Sequence, residues 1–339
     1  MLSVGVAVIS TWLGGVRAVV WTDVVQFVML IAGGSIAVWY VAAEYPGGFA
    51  ALMSAADDAG KTRIFDFSTD PLVSFTFWAG VFAMPFQNLA AYGTDQLNTQ
   101  RMLCCRSVTE ARRALYASNI GEGVVVLFLL VGVSLWGFYG REVIDPAFAG
   151  MVAENTDRIF PAFILSELPS GLRGFMVAAL FAAAMSSPVL SALAETSLTM
   201  FHDGHRRGTL ADADAVWLSR LLVAFWGVAL GGFAIMLGGT DERLIPLAFA
   251  MTAYTYGSML GLFLMALFIP KRYIRQPALG VAASIVGVLV IDNASMFGLV
   301  ESGKLVAFPW LFPLGLGLCL GVALLPFGKN HDSEQRSAT

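Results

Sequence analysis

An apolar stretch of the chain, Gly174–Met200, contains hydroxyl groups in a pattern that can bind a cation. Ala183, Ser186 and Ser187 are spaced i, i+3 and i+4, so in a helix they share one face. Two hydroxyls and a backbone carbonyl are hard oxygen ligands, which suit alkali cations. Pro188 lacks an N–H and frees a further carbonyl, so a kink is predicted. The same residues also fit a small-residue face that packs against another helix, with the serines bonded to their own turn.

A second polar group follows a proline inside another apolar stretch, Leu72–Gly93. Pro85 removes one helical hydrogen bond, and the amides Gln87 and Asn88 follow within a turn. If the stretch spans a membrane, a broken helix with polar side chains is the kind of place where transporters bind solutes. An ordinary proline kink whose amides link neighbouring helices fits equally well.

Three carboxylates lie in or beside apolar stretches. Asp23 follows the start of Val20–Val41, where it can attract cations or favour a helix N-terminus. Glu122 lies well inside Ala114–Tyr139, and an intramembrane carboxylate is a functional candidate, although it can also be the structural partner of another helix. Asp292 is a weaker candidate, because it lies near the end of its stretch, where water is close.

The composition indicates the class of protein that must position these residues. The chain has 339 residues, of which 57% are hydrophobic and 13% charged, against roughly 25% charged in an ordinary soluble domain. A lipid bilayer accommodates so much apolar surface, whereas a soluble fold of this size does not. A net charge of −4 gives no basic stripe for nucleic acid. No catalytic motif such as HExxH or GxSxG occurs, so we expect no enzyme.

Eight apolar stretches are long enough to cross a bilayer, which takes about 20 helical residues. Most of the 20 lysines and arginines lie in one alternating set of loops, which predicts that this set and the C-terminal tail are cytoplasmic. We therefore expect an all-α, multi-pass protein of the cell (inner) membrane. The predicted spans are Val20–Val41, Leu72–Gly93, Ala114–Tyr139, Gly174–Met200, Val216–Leu237, Leu244–Ile269, Ala278–Phe297 and Pro309–Leu325.

The apolar segment Met1–Leu13 is too short to be a span, because 13 helical residues rise only about 20 Å. Gly14 and Gly15 are expected to end it on the cytoplasmic side. The hydrocarbon core is about 30 Å thick, and a charged N-terminus inside it would be costly. We therefore expect Met1 to be internal to a longer helix, so that the chain is truncated at its N-terminus.

Four motifs, in the same order and with plausible spacing, resemble segments of the sodium:solute symporter family, which includes sodium–glucose, sodium–vitamin and sodium–sialic acid transporters. They are Gly14–Val19 leading to Trp21-Thr22-Asp23; Thr94-Asp95-Gln96 with Gln100-Arg101; Leu168-Pro169 and Gly171–Gly174 leading to Ala182–Ser187; and Tyr254–Gly257 leading to Lys271-Arg272.

The resemblance implies a LeuT-like fold of two inverted five-helix repeats, of which this chain holds part. Met1–Leu13 corresponds to the end of core helix 4 and Val20–Val41 to core helix 5, while core helices 1–3 are absent. The implied organisation is the end of the first repeat (residues 1–41), an outer loop (42–70), core helices 6–10 of the second repeat (71–270), two accessory helices (271–327) and a cytoplasmic tail (328–339).

The resemblance also implies roles for the hydroxyl cluster. The carbonyl of Ala183 and the hydroxyls of Ser186 and Ser187 match the half of the family's sodium site on core helix 8, and the other half lies on core helix 1. Asp23 matches an aspartate on the sodium exit route.

Residues just beyond this cluster bear on the number of sodium ions. Some members of the family hold a second sodium with serines at this point, but Val189 and Leu190 are apolar here, so one sodium is expected. Pro188 departs from the family's usual residue and puts the local helix geometry in doubt.

The solute-binding residues expected from the resemblance are Gln87, Asn88, Glu122 and Tyr256. Asn88 matches a polar position that lines the solute site, while Glu122 and Ala250 stand where sugar transporters carry a lysine and a glutamine. These two departures argue against a glucose-type site. Tyr254 and Tyr256 can line the pathway or pack between helices, and packing is favoured for Tyr254.

The hypothesis is therefore sodium-coupled symport of a small organic solute by alternating access, with the solute, sodium and membrane lipid as partners and Na⁺ as the coupling ion. No other cofactor and no nucleic acid are expected. Because half of the sodium site is absent, the chain alone is expected to be inactive. The alternatives are a sodium-independent or proton-coupled transporter of related fold and a non-transporting membrane sensor.

Overall fold

The structure, a computed structural model, describes residues 2–141, 144–184, 193, 196–199, 212–237, 244–270, 273–299 and 303–325. These residues form helices joined by turns and loops, and no strand occurs among them. The chain divides into two compact units. Unit 1 comprises Met1–Arg63 and Gln100–Glu242, and unit 2 comprises Ile64–Thr99 and Arg243–Thr339.

Unit 1 is built around a long first helix. Its elements are α1 (Leu2–Glu44), α2 (Gly48–Asp58), α6 (Val108–Gly121), α7 (Val124–Tyr139), α8 (Pro146–Glu154), α9 (Ile159–Ser166), α10 (Ser170–Ala184) and α11 (Asp212–Leu237), with a 3₁₀ turn at Thr156–Arg158. Buried residues of α1, α2, α7, α9 and α10 form one apolar core, which includes Val41, Leu52, Leu135, Phe163 and Met176. Phe163 makes edge-to-face contacts with Tyr40 and Phe138.

The first helix corrects one sequence-based expectation. We predicted that Gly14 and Gly15 end a short helix, but α1 continues through them as one helix of 43 residues. Each glycine costs about 1 kcal/mol relative to alanine in a helix but removes no backbone hydrogen bond. A glycine pair therefore weakens a helix without ending it.

Short helices occupy the segment that is expected to be an outer loop and the segment between α7 and α10. In residues 42–70, α2 buries Leu52 and Ala56, which are spaced i and i+4 and so share one face. In residues 140–170, α9 buries Ala162, Phe163 and Ile164. Packing against the core of unit 1 stabilises these helices, which are too short to be stable in isolation.

Unit 2 contains α3 (Phe77–Phe82), α4 (Met84–Gly93), α12 (Leu244–Phe268), α13 (Pro277–Asp292) and α14 (Phe308–Leu324), and α5 (Gln96–Leu103) begins in it. Its cores join α12 to α13 and α14 through Ala253, Val288 and Phe312, among others. Small residues bring these helices close together. The buried hydroxyl of Ser284 on α13 donates a hydrogen bond of 2.7 Å to the carbonyl of Gly315 on α14.

Helices of membrane-spanning length and composition are frequent among the described residues. Four are long enough, namely Trp21–Glu44, Val108–Tyr139, Trp217–Met236 and Ala248–Phe268, and three shorter apolar helices are Ser170–Ala182, Pro277–Asp292 and Phe308–Leu324. Together they correspond to seven of the eight predicted spans. The eighth, Leu72–Gly93, is divided between α3 and α4.

Substituting Gly257 tests the packing of α12 on α14. A Cβ atom at Gly257 would lie 2.8 Å from backbone atoms of Gly315 and Leu316, which have no room to move aside. Gly257→Ala should therefore lower the stability by about 1–3 kcal/mol, the usual cost of overpacking. Gly321→Ala on α14 is the control, because a Cβ there meets nothing within 4 Å. Thermal unfolding in detergent compares the two, and equal transitions would contradict the packing described.

Candidate functional site

The predicted break at Pro85 is confirmed. Helix α3 ends at Phe82 and α4 begins at Met84, with Ala83 between them. Thr76 caps α3 by accepting a hydrogen bond of 3.2 Å from the N–H of Ala79. Pro85 lies in the first turn of α4, where a backbone N–H has no partner within the helix. At the break itself, the N–H of Ala83 donates to the carbonyl of Ala79 at 3.0 Å and the N–H of Phe86 donates to the carbonyl of Ala83 at 3.2 Å. The interruption therefore leaves few backbone groups without a hydrogen-bond partner in an otherwise apolar stretch.

The two predicted amides follow this break directly. Gln87 is half-buried and Asn88 is exposed. The first turn of α4 carries no acidic residue, so its positive dipole end is not neutralised from within the helix. Amide donors beside a helix N-terminus suit a solute with a negatively charged or carbonyl oxygen. Contact of Gln87 and Asn88 with a solute stays a prediction.

The other end of α4 is fixed by an aspartate that the sequence reasoning assigned no role. The carboxylate of Asp95 accepts a hydrogen bond of 2.8 Å from the N–H of Leu97 at the start of α5. Its second oxygen accepts one of 2.6 Å from the hydroxyl of Tyr256 on α12. Tyr256, which was predicted to bind the solute, thus links α12 to the turn after α4. The sequence offers one indication of this role, since Asp95 is an aspartate that directly follows an interrupted apolar stretch.

A second tyrosine of α12 makes a similar contact in another direction. The hydroxyl of Tyr254 donates a hydrogen bond of 2.6 Å to Asp292, at the end of α13. The other oxygen of Asp292 pairs with the ammonium group of Lys304 at 2.9 Å. The Asp292 side chain is only 5% exposed, so our expectation that water is close to it was wrong. The loop that carries Lys304 covers this carboxylate. The position of Asp292 in the sequence gives no indication of this contact.

Asp23 lies inside α1 rather than at a helix N-terminus, so the interpretation of this residue as a helix-terminus carboxylate was wrong. Its carboxylate forms an ion pair of 2.7 Å with Arg101. Arg101 belongs to the Gln100-Arg101 motif, so this contact joins two of the recognised motifs within unit 1. Its position on a sodium exit route stays a prediction.

Glu122 lies at a second helix interruption. It follows the last residue of α6, and α7 begins two residues later. The N–H groups of Gly123 and Val125 donate to the carbonyls of Ile120 and Glu122 over three residues instead of four, which makes the local backbone tighter than an α-helix. Glu122 is exposed at this turn. The sequence predicts a carboxylate inside a continuous span, but Glu122 lies between two helices.

Of the predicted cation ligands, only Ala183 is among the described residues, and it lies at the end of α10. Ala183 is in its last turn, whereas Ser186, Ser187, Pro188, Val189 and Leu190 lie outside the described residues. The start of α10 is fixed by the Leu168–Gly174 motif. The guanidinium group of Arg173 donates two hydrogen bonds, of 2.9 and 3.2 Å, to the carbonyl of Leu168. This motif therefore sets where the helix that carries Ala183 begins.

Comparison with known proteins identifies the family. The model of the sodium:solute symporter family matches residues 1–287. The chain belongs to this family. Its members are transporters that are integral to membranes, and the apolar helices described above agree with that.

Several relatives are similar over most of this chain. Sodium-coupled monocarboxylate transporter 2 of Bos taurus is 31% identical over 267 residues, which are 76% of this chain and 42% of the relative. The sodium/sialic acid symporter SiaT of Proteus mirabilis (strain HI4320) is 28% identical over 299 residues, which are 85% of this chain and 58% of the relative. This chain thus spans about half the length of these relatives.

A solved structure has the same fold. It shows a Na⁺-coupled sialic acid symporter in its substrate-bound, outward-open state, and it matches with a TM-score of 0.77 and 23% identity over 94% of this chain and 64% of that one. The expected LeuT-like fold is therefore confirmed.

A double-mutant cycle tests the two tyrosine–aspartate contacts. Tyr256→Phe and Tyr254→Phe should each lower the stability by about 1.5–3 kcal/mol, because each removes a hydrogen bond to a carboxylate. Tyr256→Phe combined with Asp95→Asn should cost less than the sum of the single changes, since both remove the same contact. The control combines Tyr256→Phe with Asp292→Asn, and the losses of stability from these two changes should add, because the two residues make no contact with each other. Thermal unfolding provides the measurement, and coupling in the crossed pair would contradict the contacts described.

Proposed function

We propose that this chain supplies the end of the first repeat and the second repeat of a sodium-coupled symporter for a small, carboxylate-bearing organic solute. The observation that carries the proposal is the interrupted apolar stretch α3–α4, with Gln87 and Asn88 directly after the break. Interrupted helices at mid-membrane bind solutes and coupling ions in transporters of this kind.

The solute class follows from the chemistry at this break. The α4 N-terminus and the two amides present hydrogen-bond donors and no acidic group in the first turn. Such a set favours a carboxylate. Two relatives carry names that specify acids, a monocarboxylate and sialic acid.

The sodium ion is proposed to bind the carbonyl of Ala183 and the hydroxyls of Ser186 and Ser187. The remaining ligands belong to core helix 1 of the family, so transport is proposed for a protein that includes core helices 1–3. Asp23, held by Arg101, lies beside the inward exit route in this proposal. The distribution of lysine and arginine supports a cell-membrane protein with a cytoplasmic C-terminus.

Transport follows from differential binding of the two ligands. Sodium enters down its concentration and voltage gradients and stabilises the outward-open state, which has the higher affinity for the solute. Two helix bundles then rock about the site and expose both ligands to the inside. The coupling is reciprocal, so sodium tightens solute binding and the solute tightens sodium binding to the same extent.

Replacing Ser187 tests the sodium site. In a protein that carries core helices 1–3 ahead of this chain, Ser187→Ala should raise the sodium concentration that gives half-maximal uptake, because one sodium ligand is lost. Ser197→Ala is the matched control, since the hydroxyl of Ser197 accepts a hydrogen bond of 2.9 Å from Trp226 and belongs to helix packing. Uptake into proteoliposomes is measured over a range of sodium concentrations. An unchanged sodium dependence in Ser187→Ala would contradict the assignment.

A further inference from the structure

Unit 1 contains a cavity that the proposed transport does not use. Its volume is about 390 Å³, within the roughly 300–1,000 Å³ of small-molecule sites. It lies where α1 and α7 end, and its wall combines aromatic and charged side chains. The residues that matter for its chemistry are Tyr40, Glu44, Tyr45, Phe138, Arg141 and Glu167.

The charges in this wall do not neutralise one another. Among the described residues, no ion pair within 4.0 Å joins Arg141 to Glu44 or to Glu167. The guanidinium group of Arg141 lies instead over the ring of Tyr45, 4.4 Å from its centroid. The carboxylate of Glu167 accepts a hydrogen bond of 2.8 Å from the hydroxyl of Ser166, and its backbone carbonyl accepts one of 2.9 Å from the hydroxyl of Tyr40. The guanidinium group of Arg141 and the carboxylates of Glu44 and Glu167 therefore line the same cavity, and each can pair with a group of opposite charge on a ligand.

This arrangement suits a zwitterion that carries a primary ammonium group. A guanidinium group binds a phosphate or carboxylate through parallel hydrogen bonds. Two carboxylates accept the three N–H donors of an ammonium group. A quaternary ammonium group has no N–H to donate, so it cannot form hydrogen bonds with the two carboxylates. A metal ion is not favoured, because the described residues contain no group of three or more histidine, cysteine, aspartate and glutamate residues.

The position of the cavity indicates where such a zwitterion comes from. Glu44 is the last residue of α1, and Arg141 follows the end of α7 by two residues. These ends close two segments of membrane-spanning length and composition, Trp21–Glu44 and Val108–Tyr139, so the cavity is expected at the level where the spans leave the hydrocarbon. Trp39 and Trp136, which are 64% and 37% exposed, lie near these helix ends, as the aromatic belt of a membrane protein requires. A lipid headgroup reaches this level, with its acyl chains beside the apolar helix surfaces.

We propose that this cavity binds the headgroup of a phosphatidylethanolamine lipid, with the phosphate on Arg141 and the ammonium group between Glu44 and Glu167. The cavity wall shares no residue with the interrupted helix α3–α4, so the proposal does not depend on the proposed transport. Phosphatidylethanolamine is preferred over phosphatidylcholine because only the former has N–H donors for the two carboxylates.

Lipid titrations of the purified 339-residue chain test this proposal. Native mass spectrometry follows the binding of phosphatidylethanolamine and phosphatidylcholine with identical acyl chains, and phosphatidylethanolamine should bind about fivefold more tightly, as expected for a partly exposed charge pair. Glu44→Gln and Glu167→Gln should remove most of this preference. Arg141→Gln should weaken both lipids equally, because both carry the phosphate.

Glu154→Gln is the matched control, since Glu154 pairs with Arg158 on the surface at 2.9 Å and lies outside the cavity wall. It should leave the preference unchanged. Thermal unfolding in detergent without added lipid should be the same for the Glu44 and Arg141 variants as for the parent, because both side chains are exposed. Equal binding of the two lipids, or a preference that survives both glutamate substitutions, would overturn the proposal. Tighter binding of soluble phosphoethanolamine than of the lipid would overturn the assignment to a lipid.

Discussion

Within hydrocarbon, every backbone N–H and C=O group must find a partner in the protein, because no water is present to supply one. An interrupted helix breaks this rule unless the protein compensates, so its position indicates a functional site. Helices α3 and α4 are interrupted with little cost, because the N–H of Ala83 at the break bonds to the carbonyl of Ala79 and Pro85 lies where α4 needs no N–H donor. The break in turn places a helix N-terminus and two amides inside an apolar stretch, which is why the proposed solute site is assigned to it.

The same constraint explains how α12 is held. Tyr254 and Tyr256 are two residues apart, so their side chains leave the helix about 200° apart. One hydroxyl bonds to Asp292 and the other to Asp95. The helix is therefore tied on opposite sides, to the end of α13 on one side and to the turn after α4 on the other. Two buried or half-buried carboxylates are satisfied at the same time, and the interrupted stretch gains a fixed position relative to α12.

The sequence alone predicts the features that depend on local residue patterns. Apolar length identified seven helices, Pro85 located the break, and four motifs indicated the family. It was insufficient where distant residues meet. Nothing local to Asp292 shows that Lys304, twelve residues later, returns to cover it, and nothing near Asp23 shows that Arg101 is its partner. The glycines illustrate the same limit. Gly14 and Gly15 lie inside a continuous helix, whereas Gly121 and Gly123 flank an interruption, so glycine alone does not predict where a helix ends.

The most direct test of the central claim is uptake of a labelled monocarboxylate into proteoliposomes by a protein that carries core helices 1–3 ahead of this chain. External sodium is replaced by choline at constant ionic strength. Sodium-coupled symport predicts that an inward sodium gradient drives accumulation and that choline abolishes it. Equal uptake in sodium and in choline would contradict the account.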